Sequence, residues 1–332
     1  MSARRESQRL TAAIGTGLCL AATLSATARP AEARTPCAQE ARRLRLSTPP
    51  RAKVKLECEA RGRLSAAYGV ARARIPAKGL SVTAYVTTTG GTAQLTLSHR
   101  ADGRVIASDA TAPSEPSRRR ATDDACTDAT YVSRGSWPKG STVHLQQYAP
   151  NSTALDWSLP EGIRRASHAV TDCDKRGVFS PPPNIRASID SRTPKPPGID
   201  AGGTCGDSDG VNTVGFLNFA DPASRLLAIT CVWRRGTHIV EADIAMRADG
   251  VAWWMSETPP GTPKTPCPPS HYDAVSVATH ESLHLLGLAH VPSGHDSLSL
   301  APVLPACNTD PSTLGLGDYR GLIHLYGPAP TP

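Results

Sequence analysis

Residues 280 to 290 read HESLHLLGLAH. Three histidines, a glutamate and a glycine fall at H-E-x-x-H-x-x-G-x-x-H. At ordinary composition, five fixed residue types in eleven positions arise by chance in a chain of this length with odds on the order of 10⁻⁵. On a helix each residue advances about 100°, so His280 and His284 lie about 40° apart on one face, where both imidazoles reach one ion. Glu281 lies on the flank of that face, close enough to hydrogen-bond a water at the ion without being a ligand. A straight helix would carry His290 roughly 9 Å beyond His284, whereas zinc takes nitrogens at about 2.0–2.1 Å. The chain must therefore turn between them, and Gly287 supplies a residue that tolerates the left-handed conformation ending helices. Three ligands leave a fourth position for water, the arrangement of a catalytic rather than a structural zinc.

Outward from this stretch, the 332 residues divide by pattern. "LSVTAYVTTTGGTAQLTLSHRADGRVIAS" (80–108) alternates Val82, Ala84 and Val86 with Thr83 and Tyr85, and Leu95 and Leu97 with Gln94, Thr96 and Ser98. Gly90-Gly91 and Asp102-Gly103 lie between the runs, where hairpins need positive φ. Further strands are expected at 129–133 and 142–148, and residues 34–180 read as an all-β, sandwich-like domain. "SPPPNIRASIDSRTPKPPG" (180–198) reads as a linker or an edge strand, and 181–204 is taken as that linker or the first strand of a second domain. Residues 205–332 mix strands at 211–218, 226–233 and 238–246 with helices at 273–286 and about 317–325, the last ending at Gly327-Pro328. The fold class expected is α+β.

Residues 1–33 read as an export signal: Arg4, Arg5 and Arg9, an apolar run from Leu10 to about Ala26, and Ala31-Glu32-Ala33 for cleavage. The run is too short for a membrane-spanning helix. A secreted chain without residues 1–33 carries a formal charge of about +5, spread along its length, with no basic-aromatic interleaving for nucleic acid. Arg118-Arg119-Arg120 is either an exposed loop or a processing site. Outside the signal lie Cys37, Cys58, Cys126, Cys173, Cys205, Cys231, Cys267 and Cys307, an even number that points to disulfides, with consecutive pairing the simplest map. No CxxC spacing marks a cysteine zinc site. Asn151-Ser152-Thr153 is a sequon. His295 reads as a surface histidine rather than a fourth ligand, Tyr326 as core, and His238 and His324 as structural or exposed. Asp207 and Asp209 in CGDSDG offer carboxylates either for calcium or for a turn; a full EF-hand loop is absent.

"YDAVSVATHESLHLLGLAH" (272–290) resembles the active-site helix of metzincin metallopeptidases, nearest their matrixin branch; "IVEADIAMR" (239–247) resembles the family's edge strand and "GLGDYRGLIHLYG" (315–327) its C-terminal helix. The likeness covers about residues 205–328. It implies a twisted sheet with an active-site helix and a C-terminal helix. It also implies a secreted zinc endopeptidase acting on proteins or peptides, with Glu281 as general base and His280, His284 and His290 on zinc. By the same resemblance, Glu241, Ala242 and Asp243 on the edge strand and Pro302 and Val303 beside the side-chain pocket would meet substrate. Two departures stand out. Leu300, in "SLSLAPV" (297–303), occupies the family's methionine-turn position, and Leu283 replaces a usual glycine. Leucine for methionine roughly conserves volume and costs less than about 1.5 kcal/mol. A catalytically silent binding protein of the same fold is the competing reading, and the β half is either an inhibitory pro-segment, without the family's inhibitory cysteine motif, or a substrate-binding module.

Overall fold

The computed structural model describes residues 65–111, 124–151, 153–221 and 225–330, with two short strand backbones at 43–45 and 54–56. The export signal, Cys37, Cys58, Arg118–Arg120 and Ser152 of the sequon lie outside the described residues.

In the first half the strands are β1 (Arg43–Arg45), β2 (Val54–Leu56), β3 (Ser65–Tyr68), β4 (Ala71–Arg74), β5 (Ser81–Thr88), β6 (Gly91–His99) and β7 (Val105–Thr111). Next come β8 (Val132–Ser133), β9 (Thr142–Tyr148), helix α1 (Ser158–Ser167), β10 (Arg186–Thr193), β11 (Thr204–Cys205), β12 (Thr213–Leu217), β13 (Leu226–Arg235) and β14 (His238–Arg247). The chain closes with β15 (Trp253–Trp254), β16 (Tyr272–Asp273), α2 (Ala274–Leu285), β17 (Leu288–Ala289) and α3 (Leu316–Tyr326). The mixture of sheet and few helices is the α+β class expected.

Its organisation differs from two separate domains. Among the described residues one nine-stranded sheet runs β10-β9-β12-β14-β13-β5-β6-β7-β2, taking strands from both halves of the sequence. The hairpins β5–β6 and β6–β7 form as the glycine turns require, but β5 then pairs antiparallel with β13 from Ser81–Arg234 to Thr88–Leu226. The reason is apolar cover: Val82, Ala84, Val86, Leu95 and Leu97 bury against Ile229, Cys231 and Trp233 of β13, so the first half completes its core on the second. A boundary at residue 180 would split that core. The proline-flanked run at 186–193 is the edge strand β10, paired parallel with β9 alone, which is where prolines at strand ends are tolerated.

On the other face of the sheet lie α1 and α2. Asp273 caps α2, accepting the Ser276 amide at 3.0 Å. All twelve residues of α2 are buried, because the helix is held between the sheet and α1. Leu283 is part of that core. The helices meet at Gly162, where an added Cβ would fall 2.5 Å from the Ala278 carbonyl carbon.

Among the described residues three disulfides follow the consecutive pairing: Cys126–Cys173, Cys205–Cys231 and Cys267–Cys307. They close loops of 47, 26 and 40 residues, each worth about 3.5–4 kcal/mol in the chain-entropy model. Cys205–Cys231 ties β11 to β13, and Cys267–Cys307 brackets α2 and His290.

Candidate metal centre

The helix delivers His280 and His284 from successive turns, and the chain then reverses. Gly287 has φ +94° and an added Cβ would fall 2.0 Å from the Gly135 carbonyl oxygen. Trp137 and Tyr326 hold the end of α2 in place. The Trp137 indole N–H donates to Leu285 O at 2.9 Å, and the Tyr326 hydroxyl donates to Leu286 O at 2.8 Å. Strand β17 follows, and His290 comes back beside the helix.

The Nε2 atoms of His280, His284 and His290 lie 3.2, 3.2 and 3.0 Å from one another. Ligand nitrogens about 2.0–2.1 Å from a tetrahedral ion stand about 3.3 Å apart, so the triangle is the right size for one ion. The tautomers agree. His280 Nδ1 lies 2.6 Å from Ser299 O and His284 Nδ1 lies 3.0 Å from Leu288 O. A carbonyl oxygen only accepts, so each Nδ1 carries the proton and each Nε2 presents its lone pair inward. Burial pushes His280 down to about 4, against the pull of its Ser299 bond. Burial, then the neighbouring His290 and His280 rings, hold His284 well below the ordinary range, and burial does the same for His290. Three neutral imidazoles with converging lone pairs repel one another unless a cation lies between them. The cluster can hold a metal ion.

No family model and no curated protein matches the chain.

Glu281 is fully buried. Thr87 Oγ1 donates to its Oε1 and Thr230 Oγ1 to its Oε2, each at 2.6 Å. Burial raises its pKa to about 7, against the lowering effect of the two hydroxyls. Tyr85 stacks on His284 with ring centroids 4.0 Å apart and planes 7° from parallel. Neither Thr87 nor Tyr85 was marked by the sequence, because a strand alternating Thr and Tyr with Val and Ala reads as half solvent-facing.

Leu300 lies in a buried turn whose neighbour Ser299 accepts from His280, and Leu300 O accepts the Val291 amide at 3.1 Å, next to His290. Leucine thus fills an apolar place in the segment that ties two ligands together. Asp318 of α3 braces the same turn, accepting the Ser299 amide at 2.9 Å and the Gly315 amide at 3.0 Å. Burial raises Asp318 to about 6.

The edge-strand expectation is corrected. β14 is interior, paired with β12 on one side and β13 on the other. Ala242 is core, Glu241 accepts from Ser208 and from the Asp209 and Gly210 amides, and Asp243 accepts from the Gly198 and Thr213 amides. These side chains pin the 198–213 loop and present no surface to a substrate. Pro302 is buried and Val303 partly buried in the segment after Leu300. His295 is outside the cluster and pairs with Asp128 at 2.7 Å. His238 is exposed, His324 lies by Tyr131, and Tyr326 is core. Asp207 pairs with Arg74 and Asp209 with Lys195, which commits both carboxylates to the chain's own cations.

Two predictions follow from this bracing. Gly287→Ala is expected to lower stability by more than about 2 kcal/mol, since it adds both positive-φ strain and a backbone clash; urea unfolding reads the loss, and weakened metal retention accompanies it. Burial raises Asp243 to about 8, above the unfolded value of about 3.9. Between those values the native state keeps a proton that the unfolded chain has released. Stability therefore falls as pH rises from about 4 toward 8, by up to about 1.4 kcal/mol per unit, and then levels off. Asp243→Asn should flatten that slope in pH-dependent unfolding.

Proposed function

We propose that this protein is a zinc-dependent endopeptidase of metzincin type, close to the matrixin branch, acting on extended protein or peptide substrates. The observation that carries the reading is the convergence of three Nε2 atoms within 3.2 Å of one another. Three neutral imidazoles suit zinc, and His280, His284 and His290 would hold it with one position free. Zinc so bound supplies a Lewis acid for the scissile carbonyl and lowers the pKa of water toward neutrality.

The rest belongs to the chain. Glu281 would accept a proton from the attacking water and return it to the leaving amine nitrogen. Ser299 O and Leu288 O fix two ligand rings in the tautomer that keeps Nε2 unprotonated. Asp318 holds the Ser299 turn, so it acts as a positioning residue.

The protein is proposed to be secreted. Three disulfides belong to an oxidising compartment, and among the described residues no helix is long and apolar enough to cross a membrane. A second reading, a silent metal-binding protein of the same fold, draws on the enclosure of Glu281 between Thr87 and Thr230. Zinc content measured beside cleavage of a peptide library separates the two: zinc with Glu281-dependent cleavage supports the enzyme, and zinc without cleavage by any released form supports the binder.

A further inference from the structure

We propose that β5 is a built-in occupant of the protein's own peptide-docking edge and holds the full chain latent. The inference rests on the peptidase reading and names both the substrate's docking edge and the site's regulation.

An extended peptide adds to a sheet by pairing with an exposed edge. Strands from residue 124 onward run β10-β9-β12-β14-β13, so β13 is the edge their own pairing leaves open, and β5 fills it. The pairing is antiparallel and puts Tyr85 opposite Thr230, the residue whose hydroxyl also holds Glu281. Side chains two apart on a strand share a face. Tyr85 and Thr87 both use that face on the centre: the ring covers His284, and the hydroxyl binds Glu281 Oε1 at 2.6 Å. One strand thereby engages a metal-ligand ring and the general base together.

The consequence is closure. His280, His284 and Glu281 have no exposed surface, and His290 alone of the three ligands is partly exposed. A peptide paired with β13 and β5 paired with β13 exclude each other. The opposite face of β5, through Val82, Ala84 and Val86, is anchored in the core with Ile229 and Trp233, so the closed form is the stable one. A strand serving only that core would need no hydroxyl at Thr87 aimed at a buried carboxylate.

The test uses the full chain loaded with zinc. Tyr85→Ala with Thr87→Pro removes both contacts and frees the end of β5 from its ladder; Thr87→Val is the gentler change, removing the hydroxyl and keeping the strand. Access is read by the rate at which 4-(2-pyridylazo)resorcinol extracts zinc and by azide binding to the cobalt-substituted protein. Hydrolysis is read on a fluorogenic peptide library. The double variant is expected to gain about 10-fold or more in both, as the open fraction rises, with Thr87→Val moving the same way by less. Folded, zinc-loaded variants with unchanged access, or a wild type as open and active as the variants, would overturn the inference. Increased access without hydrolysis would uphold β5 as the occluding strand and sink the peptidase reading instead.

Discussion

His284→Ala is expected to abolish stable zinc binding, taking metal content from about one ion per chain to near none after dialysis. The size of the effect follows from the centre's construction. His284 is the middle ligand, 3.2 Å from the Nε2 of His280 and 3.0 Å from that of His290. Two remaining imidazoles cannot replace it, because no carboxylate or cysteine joins the cluster among the described residues. Stability should fall with the metal. An ion that binds only the folded state stabilises it by RT ln(1 + [L]/Kd), about 4 kcal/mol at a thousandfold excess over Kd. The truncation also leaves a gap beneath Tyr85, whose ring rests on His284. Metal analysis with thermal unfolding, with and without added zinc, checks this: wild type should be stabilised by zinc and the variant indifferent to it. The same indifference in wild type would contradict the prediction.

Glu281→Gln should have the opposite signature, keeping zinc and losing chemistry. The amide matches the carboxylate in shape, and the Thr230 hydroxyl, the one that remains when β5 is freed, can donate to its oxygen or accept from its NH₂. Loss of a general base costs about 10²- to 10⁴-fold in rate. The comparison is made in the background that frees β5, where wild-type Glu281 is accessible, with kcat/KM as the readout. Equal rates with Glu and Gln would mean that Glu281 is a structural buried acid held by Thr87 and Thr230.

How much of this was legible beforehand varies with the kind of signal. The α2 ligands, the reversal at Gly287 and the hairpins at Gly90-Gly91 and Asp102-Gly103 are local: spacing and backbone freedom suffice to read them. The partner of β5 was not legible. Thr83, Tyr85 and Thr87 alternate with apolar residues, and period two records polarity without saying what the polar face meets; here it meets Arg234, His284 and Glu281. β14 was expected at an edge by resemblance alone, and nothing in the pattern opposed it, since charged Glu241 and Asp243 suit solvent as well as they suit the amides of the 198–213 loop. α1 was hidden by its own composition. Pro160 is tolerated in its first turn, and Gly162, a poor helix former, is there because Ala278 approaches too closely for a side chain. Ser299 acts on His280 through its backbone carbonyl, which leaves no residue-type signature, and Asp318 reaches the ligands only through the Ser299 turn that its carboxylate braces.

The imidazoles of His280, His284 and His290 are proposed to surround one ion. Zinc K-edge X-ray absorption on the purified full chain tests it most directly. Three imidazole nitrogens are expected at about 2.0–2.1 Å with one oxygen ligand completing the sphere, and that pattern is expected to be lost in His284→Ala. A zinc environment dominated by sulfur or carboxylate, or one unchanged when His284 is replaced, would contradict it.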